Sequence, residues 1–129
     1  MQNKEGLRIY IAGPYSAETE TQISQNVTKA LDVGLDLWKK GHYPYIPHLT
    51  HFVDLRAREK GTPMKWEDYI EWDKVWLEFC DALLFLGNSK GANRELEYAK
   101  KLGKTIYYNI DDIPTVSKNR GGRVYDFQK

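Results

Sequence analysis

The chain has 129 residues, 41% of them hydrophobic and 29% charged, enough for one core of ordinary domain size without a second module. Its 19 Lys and Arg nearly balance 18 Asp and Glu, and a formal charge of +1 creates no broad positive field, which argues against a nucleic-acid polymer or an anionic membrane as partner. A lone cysteine, Cys80, excludes an internal disulfide, and the polar start Met1–Gly6 leads into an apolar run too short for a signal-peptide core or a membrane span, so a soluble cytoplasmic protein is expected.

Leu7–Ala12 is a compact apolar run closed by Gly13-Pro14, which predicts a buried first strand and a sharp turn. Between Ile23 and Lys40 the apolar residues Ile23, Val27, Ala30, Leu31, Gly34, Leu35 and Trp38 recur at three- and four-residue spacing, and Gly41 follows a basic pair. That pattern predicts an amphipathic helix with a glycine stop. Tyr43–Pro47 has strand-like aromatics, but its two prolines confine it to an edge. The stretch His48–Met64 is the least regular, helical between about Leu49 and Glu59, and long enough to form a flap over a pocket.

A second amphipathic helix is predicted from Trp66 to near Phe79, followed by the apolar strand Asp81–Leu86. Asn88–Asn93 is a turn rich in small and capping residues, leading into a helix from about Asn93 to Leu102 that stops at Gly103. Thr105–Tyr108 is the next strand. Strand and helix alternate throughout, which predicts right-handed crossovers and an α/β three-layer domain, flavodoxin-like or Rossmann-like, with a parallel sheet of four or five strands. One domain is expected over residues 1–129, with its core at about 7–108. In the tail, Arg120-Gly121-Gly122-Arg123 and Val124-Tyr125-Asp126-Phe127 read as a mobile end or a small edge strand used in dimerisation.

In such sheets ligands sit beyond the C-terminal ends of the strands, so the loops after Ala12, Ile46 and Leu86 are where chemistry is expected. Gly13-Pro14-Tyr15-Ser16 lacks the three glycines of a dinucleotide fingerprint, and the chain has no Gly-Lys-Ser or Gly-Lys-Thr phosphate loop, so no cofactor is predicted. Asn88–Glu95 offers backbone N–H groups, the Ser89 hydroxyl and the cations Lys90 and Arg94 at a helix start, a site suited to an anion. Glu95 falls in the first turn of the predicted helix, where the macrodipole would keep a carboxylate ionised and able to attack an electrophilic carbon. A capping or dipole role is the simpler alternative for an acid at that position.

Asp73 lies one turn beyond Tyr69 on a largely apolar helix face and needs a partner: a substrate hydroxyl or leaving base, with a solvated helix face or an ion pair with Lys65 or Lys74 as the alternative. Asp81 is expected to cap the preceding helix or bond backbone. His48, His51 and Asp54 lack a further ligand at metal-like spacing, so no metal is predicted, and His48 can line the pocket instead. Tyr10, Tyr15, Trp66 and Tyr69 are candidates to stack on a base, with core packing as the alternative.

Taken together, Ile9-Tyr10-Ile11-Ala12-Gly13-Pro14-Tyr15, Asp73 ahead of Cys80-Asp81-Ala82-Leu83-Leu84, Ser89-x-Gly91-x-x-x-Glu95-Leu96-x-x-Ala99 and Gly103-Lys104-Thr105-Ile106 resemble the nucleoside 2-deoxyribosyltransferase-like superfamily, which includes the deoxynucleoside 5′-monophosphate N-glycosidases. The resemblance covers about residues 7 to 108. It implies that Glu95 is the nucleophile, Asp73 the helical aspartate of the active site and Tyr10 the tyrosine that hydrogen-bonds the nucleophile. It further implies that Gly13 and Ser16, with the neighbouring Pro14 and Tyr15, approach the sugar or phosphate, that Ser89 and Gly91 hold a 5′-phosphate with Asn93 beside them, and that the protein is a homodimer or higher oligomer. Many members have a glycine two residues after the nucleophile, where this chain has Glu97.

The implied activity is cleavage or transfer at the N-glycosidic bond of a (deoxy)nucleoside or its 5′-monophosphate through a covalent glycosyl-Glu95 intermediate, as a transferase or a hydrolase. A non-catalytic nucleotide-binding or sensing module of the same fold is the alternative.

Overall fold

The computed structural model describes residues 6–117; the tail motifs at 120–127 lie outside the described residues. The elements run β1 (Arg8–Ala12), α1 (Glu20–Lys39), β2 (Tyr43–Tyr45), α2 (Thr50–Glu59), α3 (Trp66–Phe79), β3 (Ala82–Phe85), α4 (Lys90–Lys101) and β4 (Thr105–Tyr107), with 3-10 turns at Pro47–Leu49 and Ile110–Asp112. The sheet has four strands in the order β2-β1-β3-β4, all parallel. This is the three-layer α/β architecture expected from the alternation of the elements, with the switch in strand order between β1 and β3.

Period-two alternation divides β1 and β3 between two apolar layers. Ile9, Ile11, Ala82 and Leu84 pack with Ala30 and Leu37 of α1. On the other face, Tyr10, Ala12 and Leu83 pack with Leu77 of α3 and Ala92, Leu96 and Ala99 of α4. Ile9, Tyr10 and Ile11 are wholly buried, the two isoleucine side chains each contributing about 1.5–3 kcal/mol of transfer free energy.

Two expectations for the helices require correction. The buried stripe of α1 is Val27, Ala30, Gly34 and Leu37, whereas Leu35 is 58% and Trp38 38% exposed. Spacings of three, four and three keep that stripe on one line of the helix, and Leu35 and Trp38 fall one residue off it. α4 begins at Lys90 rather than Asn93, because Ser89 is extended and its Oγ accepts from the Ala92 N–H at 3.0 Å. From Lys90 onward the anion-friendly turn is therefore already helix.

Both predicted glycine stops adopt positive φ, 99° at Gly41 and 75° at Gly103. In each, the two following N–H bonds close the helix: Gly41 to Trp38 O and His42 to Leu37 O, and Gly103 to Lys100 O and Lys104 to Ala99 O. β2 ends the sheet for the reason the prolines suggest. Its Tyr43 N–H donates inward to Leu7 O at 2.8 Å, so by alternation Pro44 turns a donor-less nitrogen to the free side.

α2 buries none of its residues. It is held instead by polar ties: the Tyr15 hydroxyl meets His51 Nδ1 at 2.9 Å, and the Tyr69 hydroxyl donates to Asp54 Oδ1 at 3.0 Å. Among the described residues no helix is long and apolar enough to cross a membrane.

Candidate active site

Tyr10 sits in the middle of β1 with its ring wholly buried. Pointing toward the α3–α4 layer, its hydroxyl donates to Glu95 Oε2 at 2.5 Å. Glu95 lies in the second turn of α4, beyond the reach of the helix dipole, and its side chain is half-buried. Burial raises its carboxyl to about 8; the Tyr10 hydrogen bond opposes the rise, the Asp73 charge adds to it, and Arg94 opposes it. The expectation of a carboxylate kept ionised by the macrodipole is therefore corrected, since desolvation outweighs a dipole whose effect fades after the first turn.

Asp73 is half-buried on α3, and its carboxyl is raised to about 7 by burial, against the pull of a hydrogen bond from Tyr45. The Tyr45 hydroxyl donates to Asp73 Oδ1 at 3.2 Å, so its partner is a phenol of β2 rather than Lys65 or Lys74. Lys74 lies over the Tyr98 ring, 4.6 Å from its centroid. Asp73 also acts through charge on both Glu95 and Tyr10, which brings the three sequence-selected groups into one electrostatic cluster. Tyr10 is thus a ring of the core with a polar tip on an acid, rather than a surface on which a base stacks.

Around this cluster the other candidates divide. Gly13 is buried, and a Cβ there would meet Leu86 Cβ at 3.0 Å, so glycine lets the loops leaving β1 and β3 approach. His48 Nε2 lies 3.2 Å from both the Gly13 and Pro14 carbonyls, while burial lowers its pKa and keeps the ring neutral. The side chain expected to line the pocket thus clasps the β1 loop. Tyr15 turns to His51 of α2, and Ser16 is exposed. Ser89 caps α4, with exposed Gly91 and Asn93 on the turns before Glu95.

Glu97 faces away, exposed and 3.6 Å from Lys100. Asp81 accepts from the Arg8 N–H at 2.8 Å and from its guanidinium, a structural use in line with the backbone role expected of it.

One participant, Tyr45, is not singled out by the sequence, while Arg94 and Trp66, expected to face an anion and a base, meet each other instead. In the sequence Tyr45 reads only as an edge-strand residue; its pairing with Asp73 needs the parallel register that sets Tyr45 opposite Tyr10. The Arg94 guanidinium lies 4.7 Å from the Trp66 ring centroid, so Trp66 holds a cation beside Glu95.

Chemically the arrangement presents two carboxyl groups, each hydrogen-bonded by a tyrosine and each raised into the range where protons move at neutral pH. A family model described as "Domain of unknown function (DUF7768)" matches residues 7–109. No curated protein matches the chain. A solved structure of the 2-deoxyribosyltransferase from the psychrotolerant bacterium Bacillus psychrosaccharolyticus aligns with 24% identity and a TM-score of 0.46, over 77% of this chain and 69% of that one.

Proposed function

For a chain that belongs to the DUF7768 family, whose description assigns no activity, we propose cleavage or transfer at the N-glycosidic bond of a (deoxy)nucleoside or its 5′-monophosphate. The observation that carries the proposal is the Tyr10–Glu95 hydrogen bond at 2.5 Å, within an electrostatic cluster that includes Asp73. The motif resemblance, which selects the same three residues, supports it.

In the proposed reaction an oxygen of ionised Glu95 attacks C1′ of the sugar as the bond to the base breaks, through an oxocarbenium-like transition state. Asp73 gives its proton to the departing nitrogen. Water or an incoming base then attacks C1′ from the opposite side, releases Glu95 and returns a proton to Asp73. Water completes hydrolysis, and a base completes transfer. Gly13, Pro14, Tyr15 and Ser16 are proposed to border the sugar, with Ser89, Gly91 and Asn93 bordering its 5′ end.

The test is incubation with a panel of nucleosides and 5′-monophosphates, with and without a different free base, followed by chromatography. Released or exchanged base is expected, with Glu95→Gln inactive yet still able to bind ligand. Wild-type protein that does neither across the panel overturns the proposal.

A homodimer is proposed as well. α3 exposes Trp72, Val75, Trp76 and Phe79, and the α2 region exposes Leu49, Phe52 and Leu55, large apolar side chains that an interface with a second copy would take out of water. Light scattering should give twice the chain mass at micromolar concentration. A monomer mass would refute it.

A further inference from the structure

Tyr45 is held more tightly than an edge-strand tyrosine needs to be. It stands opposite Tyr10 in the β1–β2 ladder, and the two rings lie 5.3 Å apart at 30°. Tyr45 also stacks with Trp76 at 6.0 Å and 18°. Trp76 lies three residues after Asp73 on α3, so one helix supplies both a ring that stacks on Tyr45 and the carboxyl that its hydroxyl reaches at 3.2 Å.

Resting on the glycosyl-transfer proposal above, we propose that Tyr45 is a positioning residue for the leaving-group acid: with its ring stacked on both Tyr10 and Trp76, it fixes the Asp73 carboxyl by its hydroxyl. Adjacent strand tyrosines then hold the two working acids, Tyr10 the nucleophile and Tyr45 the proton donor. The hydrogen bond also has a direction in the chemistry. As Asp73 passes its proton to the base it becomes a carboxylate, and a phenol O–H bonds a carboxylate more strongly than a neutral acid. Tyr45 therefore aids proton transfer as it proceeds. The groups that act in this cluster are Tyr45 from β2, Tyr10 from β1, Asp73 from α3 and Glu95 from α4, with Arg94 of α4 acting on Glu95, and Cys80 after α3 and a hydrogen bond with the Trp72 side chain of α3 acting on Tyr45.

Tyr45→Phe keeps the ring and both stacking contacts and removes only the hydroxyl. With 13C-labelled aspartate in the full chain, the Asp73 carboxyl should titrate about half a unit to one unit higher in Tyr45→Phe than in wild type. Turnover supplies the second arm, with a natural nucleoside compared with a p-nitrophenyl 2-deoxyriboside, whose leaving group departs without a proton. Tyr45→Phe should lose about tenfold or more in kcat on the nucleoside with little change in KM, and about twofold or less on the nitrophenyl substrate.

Equal losses on both substrates would make Tyr45 a purely structural residue and overturn the proposal, as would an unchanged Asp73 titration. If wild type cleaves neither substrate, it is the glycosyl-transfer proposal that fails, and with it the catalytic part of this one. The titration, which needs no turnover, then still decides whether Tyr45 sets the state of Asp73.

Discussion

The hydroxyl of Tyr10 donates to Glu95 Oε2 at 2.5 Å across 85 positions of sequence, joining the central strand to the second turn of α4. A phenol donating to a carboxylate favours the ionised form, so this bond works against the burial that raises Glu95. Tyr10→Phe should push Glu95 higher still and lower kcat/KM at pH 7 by about tenfold, one unit of pKa being a factor of ten. The deficit should shrink at pH 9.5, where Glu95 ionises in both proteins. Equal losses at the two pH values would mean that Tyr10 acts by some route other than the charge of Glu95.

The reaction needs Glu95 ionised and Asp73 protonated. With Glu95 near 8 and Asp73 near 7, the rate rises as Glu95 loses its proton and falls as Asp73 loses its own. The profile of kcat/KM against pH should be a narrow bell with its top between about 7 and 8, and its two apparent values belong to the coupled pair. Steady-state rates from pH 5 to 10 measure it. A plateau reaching down to pH 5 would show a nucleophile of ordinary acidity and contradict the burial argument.

The same shifts bear on folding. Both carboxyls sit above the values of about 4 that they take in the unfolded chain, so the folded state binds protons that the unfolded state releases. Their stabilising contribution is fully present below about pH 4 and is lost as pH rises through 7 and 8. Glu95→Gln keeps an acceptor for Tyr10 without a charge to desolvate, so it should abolish turnover and raise Tm over wild type at pH 8.5, with a smaller gain at pH 5. A gain equal at both pH values would refute the linkage.

His48 is the third place where the geometry makes a definite demand. Its Nε2–H spans the Gly13 and Pro14 carbonyls at 3.2 Å each, pinning the loop that leaves β1. His48→Leu fills similar space but leaves those carbonyls without their donor, at a cost of about 1–3 kcal/mol. Urea unfolding of the two proteins tests this. A change within about 0.5 kcal/mol, the range of an ordinary surface substitution, would show that the clasp contributes nothing.

Much of the architecture was legible because it is local. Apolar runs bounded by Gly13-Pro14, Gly87 and Gly103 marked β1, β3 and the end of α4, and the prolines flanking Tyr45 marked β2 as an edge. Where local rules competed, the outcome was less legible: Ser89 caps α4 four residues before the expected start, and Leu37 is buried where Leu35 and Trp38 were expected. Both corrections turn on a shift of a few residues along a helix, which spacing alone constrains weakly.

By itself, the sequence determined the order of the elements, the parallel sheet and the singling out of Glu95, Asp73 and Tyr10, because periodicity, turn residues and motif spacing are properties of neighbours along the chain. Only the tertiary structure decided that Glu95 is protonated well above the usual carboxylate range, that Asp73 is held by Tyr45 and that His48 clasps a loop. Each of these depends on groups brought together from distant strands and helices, and the cost of removing a charge from water is set by everything packed around it.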